Sequence, residues 1–277
     1  MEGHPSLGGS RHLFFQGARE QGLHLGSAYK VTQYAWTVIR LPRHVRRRRK
    51  AAQRAKWLNP ENRKPEKIED LVGGHFRLFS SNEHHTKPGI LTALHALKGK
   101  PGHILETGSS AWGMDSTRLW AKYVQVFGGQ LWSVDLREEP RKILGNLGPR
   151  TEMFVCDSLA FLKNFESKIG QYKINLAYLD SFDVDWTNPH PAAVHGFAEW
   201  ALLKPLLESG SVVVVDDTPR TPQDIPWLVG SKKASVEEFF SSNHLPPGKG
   251  SLIAEEVFSS AEWRVLHHSY NLVVQKL

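Results

Sequence analysis

An α/β fold built on a mostly parallel sheet is predicted for the part of the chain beyond Lys98, on three observations. Short apolar runs alternate with helical stretches. Runs such as Val212–Val215 are apolar at every position, the pattern of a strand covered on both faces rather than one. Nearly every run also ends in an acidic residue, which packing in a parallel sheet does not require.

The elements follow in order. Residues 1–26 are rich in Gly, His and Ser without periodicity, and a disordered tail is expected there. Residues 27–70 read as a basic, amphipathic helical extension and linker. Tyr29–Leu58 is helical in two pieces broken at Pro42, and Asn59–Lys67, with two prolines, is the linker. A globular domain is expected over 71–277, opening with a short helix at Pro88–Leu97. Strands are expected at His103–Glu106, Leu131–Asp135, Glu152–Val155, Ile174–Asp180 and Ser211–Asp216. Helices are expected at 115–126, 138–145, 158–168 and 191–208. Of two closing apolar stretches, Leu252–Phe258 and Arg264–Gln275, the second suits a β-hairpin at the sheet edge, which gives seven strands in all.

Composition narrows the function classes. The one cysteine, Cys156, excludes an intrachain disulfide and a four-cysteine zinc site, and fits a reducing compartment. No run approaches the roughly 20 apolar residues of a membrane span, so a cytoplasmic protein is expected. Arg40–Lys67 holds twelve Lys and Arg against two Glu, more than the whole net charge of +7, so the remaining surface is not a nucleic-acid footprint. The basic block reads first as a solvated segment. A second reading makes residues 29–58 a peripheral contact with anionic membrane, aromatic and aliphatic side chains inserted and arginines on the headgroups.

In an open parallel sheet, ligands bind beyond the carboxyl ends of the strands. That rim carries Glu106, Asp135, Asp180 and Asp216, with Asp157 just past the third strand, where it would also serve as a helix cap. The first strand leads into Glu106-Thr-Gly-Ser-Ser-Ala-Trp-Gly113, whose small residues let backbone approach a ligand. It is neither the Gly-x-Gly-x-x-Gly turn of dinucleotide folds nor a Walker loop.

Together HILETGSSAWGMDS, LWSVD, VCDSLAFL, INLAYLD and VVVVDD resemble the motifs of class I S-adenosylmethionine-dependent methyltransferases, over residues 100–277. The resemblance implies a Rossmann-like methyltransferase fold with S-adenosylmethionine as cofactor. It places Glu106, Gly108, Ser109, Ser110 and Gly113 along the amino-acid part of the cofactor, with Asp180 near by. Asp135 falls at the ribose, whose two hydroxyls one carboxylate accepts at once, and Asp157 and Ser158 fall at the adenine.

Asp180, Asp216 and Asp217 form a second constellation. Carboxylates at adjacent strand ends repel unless a cation lies between them, and oxygen-only ligation suits Mg²⁺, Ca²⁺ or Mn²⁺ rather than zinc, with Mg²⁺ the ion expected. The arrangement resembles the metal-dependent O-methyltransferases of the catechol and macrocin kinds, in which such an ion orients substrate oxygens. The alternative is that Asp180 faces the cofactor and Asp216-Asp217 caps the next loop. His190, before a helix-starting Pro191, is the first choice of general base, with Asp183 next. Ser80–Pro88 offers His84, His85 and Lys87 as residues that fold across the cofactor or merely cap a helix. Thr218–Trp227, with three prolines, reads as a semi-rigid lid.

The function expected is metal-assisted O-methylation of a polar small molecule, sugar, or glycan- or lipid-linked acceptor. The alternatives are a nucleic-acid methyltransferase using the basic segment, or a non-catalytic cofactor-binding scaffold. Against the first, DSFDVDW follows the fourth strand in place of the Asn/Asp-Pro-Pro-aromatic signature of amine methylation.

Overall fold

The computed structural model describes residues 43–59, 67–109 and 114–277. Residues 49–277 form one unit; of the unit before it, only the start of helix α1 (Arg43–Leu58) is described. The first half of the expected amphipathic extension, with residues 29–42, lies outside the described residues.

Seven strands form one sheet in the order β3-β2-β1-β4-β5-β7-β6. They are β1 (Gly102–Thr107), β2 (Gly129–Asp135), β3 (Thr151–Val155), β4 (Ile174–Leu179), β5 (Leu207–Val215), β6 (Trp263–His268) and β7 (Leu272–Lys276). The first five are parallel to one another, and β7 runs antiparallel between β5 and β6. The hairpin expected at Arg264–Gln275 is therefore β6–β7, with β6 on the outer edge.

The all-apolar strands are explained by the two layers that cover them. Alternate residues point to opposite faces. Ile104, Leu131, Leu176, Tyr178, Val212 and Val214 pack on one side with α2 (Ile68–Phe79), α3 (Lys87–Leu97) and α4 (Ser116–Phe127). Leu105, Trp132, Ala177, Leu179, Val213 and Val215 pack on the other with α6 (Ser158–Lys163), α7 (Phe165–Ile169), α8 (His190–Leu203) and α10 (Ser251–Ser259). A short α5 (Glu139–Leu144) precedes β3, and α9 (Gly230–Ser242) follows β5.

Two expectations shift. The helix expected over 158–168 is two, divided at Asn164. The helix expected over 191–208 ends at Leu203, and a 3₁₀ turn over Lys204–Leu206 leads into a β5 that begins at Leu207, four residues early. The apolar stretch Leu252–Phe258, to which the sequence assigned no element, lies in α10. Ahead of the sheet, α1 is anchored on α2. Arg54 Nε donates to the Leu78 carbonyl at 2.7 Å, and the Trp57 ring packs on His75 and Phe79.

Strand order reverses between β1 and β4, the switch point at which crossover helices leave on opposite faces and the strand ends part. The functional cleft opens there.

Candidate functional site

A cleft of about 670 Å³ lies against the carboxyl ends of β1 to β5, lined by Gly108, Asp135, Asp157, Asp180 and Asp217 among others. That volume suits a ligand of nucleoside size or somewhat larger.

The turn after β1 is fixed by glycine. Gly108 has φ +83°, and a Cβ there would overlap the Asp180 carbonyl at the end of β4. Its N–H donates to the Val134 carbonyl at 2.7 Å, so the turn threads between β2 and β4. Beyond Ser109, which shares a 2.7 Å hydrogen bond with Ser133, Ser110 and Gly113 lie outside the described residues. The chain re-emerges at Met114, whose carbonyl accepts from His75 Nε2 at 2.8 Å. Burial drives the His75 pKa down to about 4, so the ring stays neutral.

Glu106 does not line the cleft. Its fully buried carboxyl accepts from Ser116 Oγ at 2.6 Å, Thr117 Oγ1 at 2.7 Å and Ser133 Oγ at 2.5 Å. It thereby ties the start of α4 to β2 behind the first turn. Burial outweighs these three bonds and raises its pKa to about 7.

Asp135, at the end of β2, does line the cleft. It accepts from the Arg137 backbone N–H at 2.7 Å and from that guanidinium at 3.1 and 3.3 Å. Asp157 has two tasks, capping α6 through Ala160 N–H at 2.8 Å and facing the cleft. Next to it, His195 Nε2 lies 3.3 Å from Ser158 Oγ and 3.0 Å from Ser181 Oγ, and Glu199 raises its pKa.

The acid constellation assembles as the strand ends imply. One carboxylate oxygen each from Asp180, Asp216 and Asp217 lie within 4.8 Å of one another. The sequence reading missed the cation between them. Lys249 Nζ, on a 3% exposed side chain, pairs with Asp180 Oδ1 and lies 2.9 Å from Asp217 Oδ2. The Tyr270 hydroxyl donates to Asp217 Oδ1. Burial works against ionising Asp217, but the Lys249 charge and the two hydrogen bonds hold its pKa below the ordinary value. Asp216 goes the other way, pushed well up by burial and then by the flanking carboxylates. The visible signal for Lys249 is Pro246-Pro-Gly-Lys-Gly-Ser251, a glycine-flanked lysine before a helix.

The histidines distribute differently from expectation. His190 is the first residue of α8, exposed and not among the cleft-lining residues, because the helix starts one residue before Pro191 and carries it outward. Asp183 does line the cleft, at its exposed lip. His84 lines it too, its Nδ1 2.9 Å from Thr86 Oγ1. Burial, then the neighbouring His85, lower the His84 pKa. The His85 ring stacks on Trp227 at 3.9 Å and meets Tyr270 edge-on at 5.4 Å, which joins the segment before α3 to the proline-rich stretch after β5. Trp186 packs with Ile225, Leu228 and Val236.

The sheet order, five parallel strands with an antiparallel β7 between β5 and β6, is that of a Rossmann-like methyltransferase fold. No protein-family model and no curated protein matches the chain. Among solved structures, the fold is similar to MycE methyltransferase from the mycinamycin biosynthetic pathway, in complex with Mg and SAH. That likeness has TM-score 0.51 and 17% identity over 77% of this chain and 55% of that one. The chain thus spans about half the length of MycE. Other similar structures are CalS11, a TDP-rhamnose 3′-O-methyltransferase (TM-score 0.46, 16% identity, 82% and 92% of the two chains), and an O-methyltransferase from Bacillus cereus in complex with SAH (0.41, 19%, 89% and 97%).

Proposed function

We propose that this chain transfers a methyl group from S-adenosylmethionine to an oxygen of a polar acceptor. The observation that carries the reading is that one cleft spans the strand ends on both sides of the switch point. Gly108, Asp135, Asp157 and Ser158 line it beyond β1 to β3, which we take as one half, and Asp180, Asp216 and Asp217 beyond β4 and β5, with Tyr270 and His84, as the other.

The first half fits the cofactor. The Gly108 turn leaves backbone without a side chain beside the strand ends, and the Asp135 carboxylate has the acceptor capacity for a ribose diol. Asp157 and Ser158 take the adenine end. When bound, S-adenosylmethionine supplies a methyl group already activated on sulfonium. The protein's part is to align an acceptor oxygen in line with that methyl and to take its proton.

The second half suits a hydroxyl-rich acceptor such as a sugar or other polyol, free or carried on a glycan or lipid. Its carboxylates and the Tyr270 hydroxyl are hydrogen-bonding partners for such a molecule. His84 is the proposed proton acceptor: it lines this half, and burial keeps its imidazole neutral. Asp183, at the lip, is the next choice. Three carboxylates within 4.8 Å provide the oxygen donors expected for Mg²⁺, but a buried ammonium already stands on two of them.

The test is transfer of labelled methyl from S-adenosylmethionine into a cell extract and a panel of polyols and nucleotide sugars. Label in base-stable ether linkages supports the reading. Label in nucleic acid or in amines overturns it, and label in base-labile esters overturns the hydroxyl acceptor in favour of a carboxylate.

A further inference from the structure

We propose that Lys249 is the resident cation of the acidic rim, held where a divalent ion would otherwise bridge Asp180 and Asp217, so that this site works without a metal. The inference rests on reading the rim as the acceptor half of a methyl-transfer site.

The ammonium is placed by the fold rather than by a mobile side chain. Lys249 lies in a loop running against the end of β5 on one side and α8 on the other. Its backbone N–H donates to the Asp217 carbonyl at 3.3 Å, and that of Gly250 to Thr218 Oγ1 at 3.0 Å. Gly248 has φ +95°, and a Cβ on it would overlap the Asp217 carbonyl oxygen. On α8, a Cβ on Gly196 would press into the Lys249 carbonyl oxygen. Side-chain-free positions on two elements therefore admit this one loop. The lysine side chain is buried, so its ammonium is met by carboxylates more than by bulk water.

The charge pattern fits the same role. Burying a cation is costly unless it is paired, and Lys249 meets two carboxylates with a third close by. Tyr270 covers the other oxygen of Asp217. Binding Mg²⁺ to Asp180 and Asp217 would require either expelling the ammonium from a close-packed loop or placing three positive charges side by side. The ammonium also offsets part of the negative charge of the rim, the electrostatic task a bound cation would have there.

Mn²⁺ binding, followed by electron paramagnetic resonance on the full chain, tests this directly. Wild type is expected to leave the free Mn²⁺ signal undiminished at millimolar ion. Lys249→Ala, which vacates the ammonium position and leaves three carboxylates, is expected to bind Mn²⁺ about tenfold tighter or better. Lys249→Arg, which keeps the charge, should behave as wild type. Mn²⁺ bound by wild type and lost in Asp217→Asn would overturn the proposal, as would a folded Lys249→Ala that gains no affinity. Should Lys249→Ala not fold, the wild-type and Lys249→Arg titrations decide between the two outcomes. None of these readouts needs S-adenosylmethionine, so the inference fails or stands separately from the assigned reaction. Calorimetry with the cofactor in EDTA reports on that reaction.

Discussion

Glu106→Gln separates the structural role of that carboxyl from a cofactor-binding one. The side chain is fully buried, and its pKa is raised from 4.5 to about 7, by burial first, against the pull of three hydroxyl donors. Between those two values the folded chain holds a proton that the unfolded chain has released. Stability from this group is therefore full below pH 4.5 and lost as pH rises through about 7. The loss amounts to about 3 kcal/mol. Glutamine keeps the shape and cannot ionise, so the stability of the variant relative to wild type should rise by about that much across the interval. Urea unfolding midpoints of both proteins, measured from pH 4.5 to pH 8, give the comparison. Parallel pH profiles would refute the argument. So would an unchanged stability accompanied by selective loss of S-adenosylmethionine affinity, which would return Glu106 to the cleft.

Gly108→Ala should lower stability by about 2 kcal/mol or more and abolish cofactor binding, because the backbone is left-handed there and the Asp180 carbonyl fills the Cβ position; thermal melts with and without ligand check both. Trp120→Ala removes the largest side chain buried in the layer over β1 and β4 and should cost about 3–5 kcal/mol by denaturant unfolding, with the fold retained. If His84 takes the acceptor proton, kcat/KM falls on acidification below pH 6.5, since its pKa is lowered, and His84→Gln loses that limb along with most of the rate.

What the sequence disclosed, and what it hid, follows from the range of the interactions. Strand ends were legible because an acidic residue after an all-apolar run is a local pattern, and Asp135, Asp157, Asp180 and Asp216 all stand at one rim. The direction in which a carboxyl points is not local. Glu106 turns away from the cleft because Ser116, Thr117 and Ser133 are there to receive it. Helix α9 escaped notice because GSKKASVEEFFSS buries only Val236 and so carries no apolar stripe. The two glycines in α2, Gly73 and Gly74, concealed a helix whose helical stability comes from packing rather than propensity. Lys249 was hidden most deeply. Its role exists only when β5, α8 and the loop before α10 converge, more than thirty residues from its carboxylate partners.

Calorimetric titration of the full chain with S-adenosylmethionine, in EDTA, decides whether the cleft is a cofactor site. Saturable binding at one site per chain is expected, weakened about tenfold or more by Asp135→Ala, which removes the acceptor of two ribose hydrogen bonds. Absence of binding to both S-adenosylmethionine and its demethylated product at millimolar ligand would contradict it.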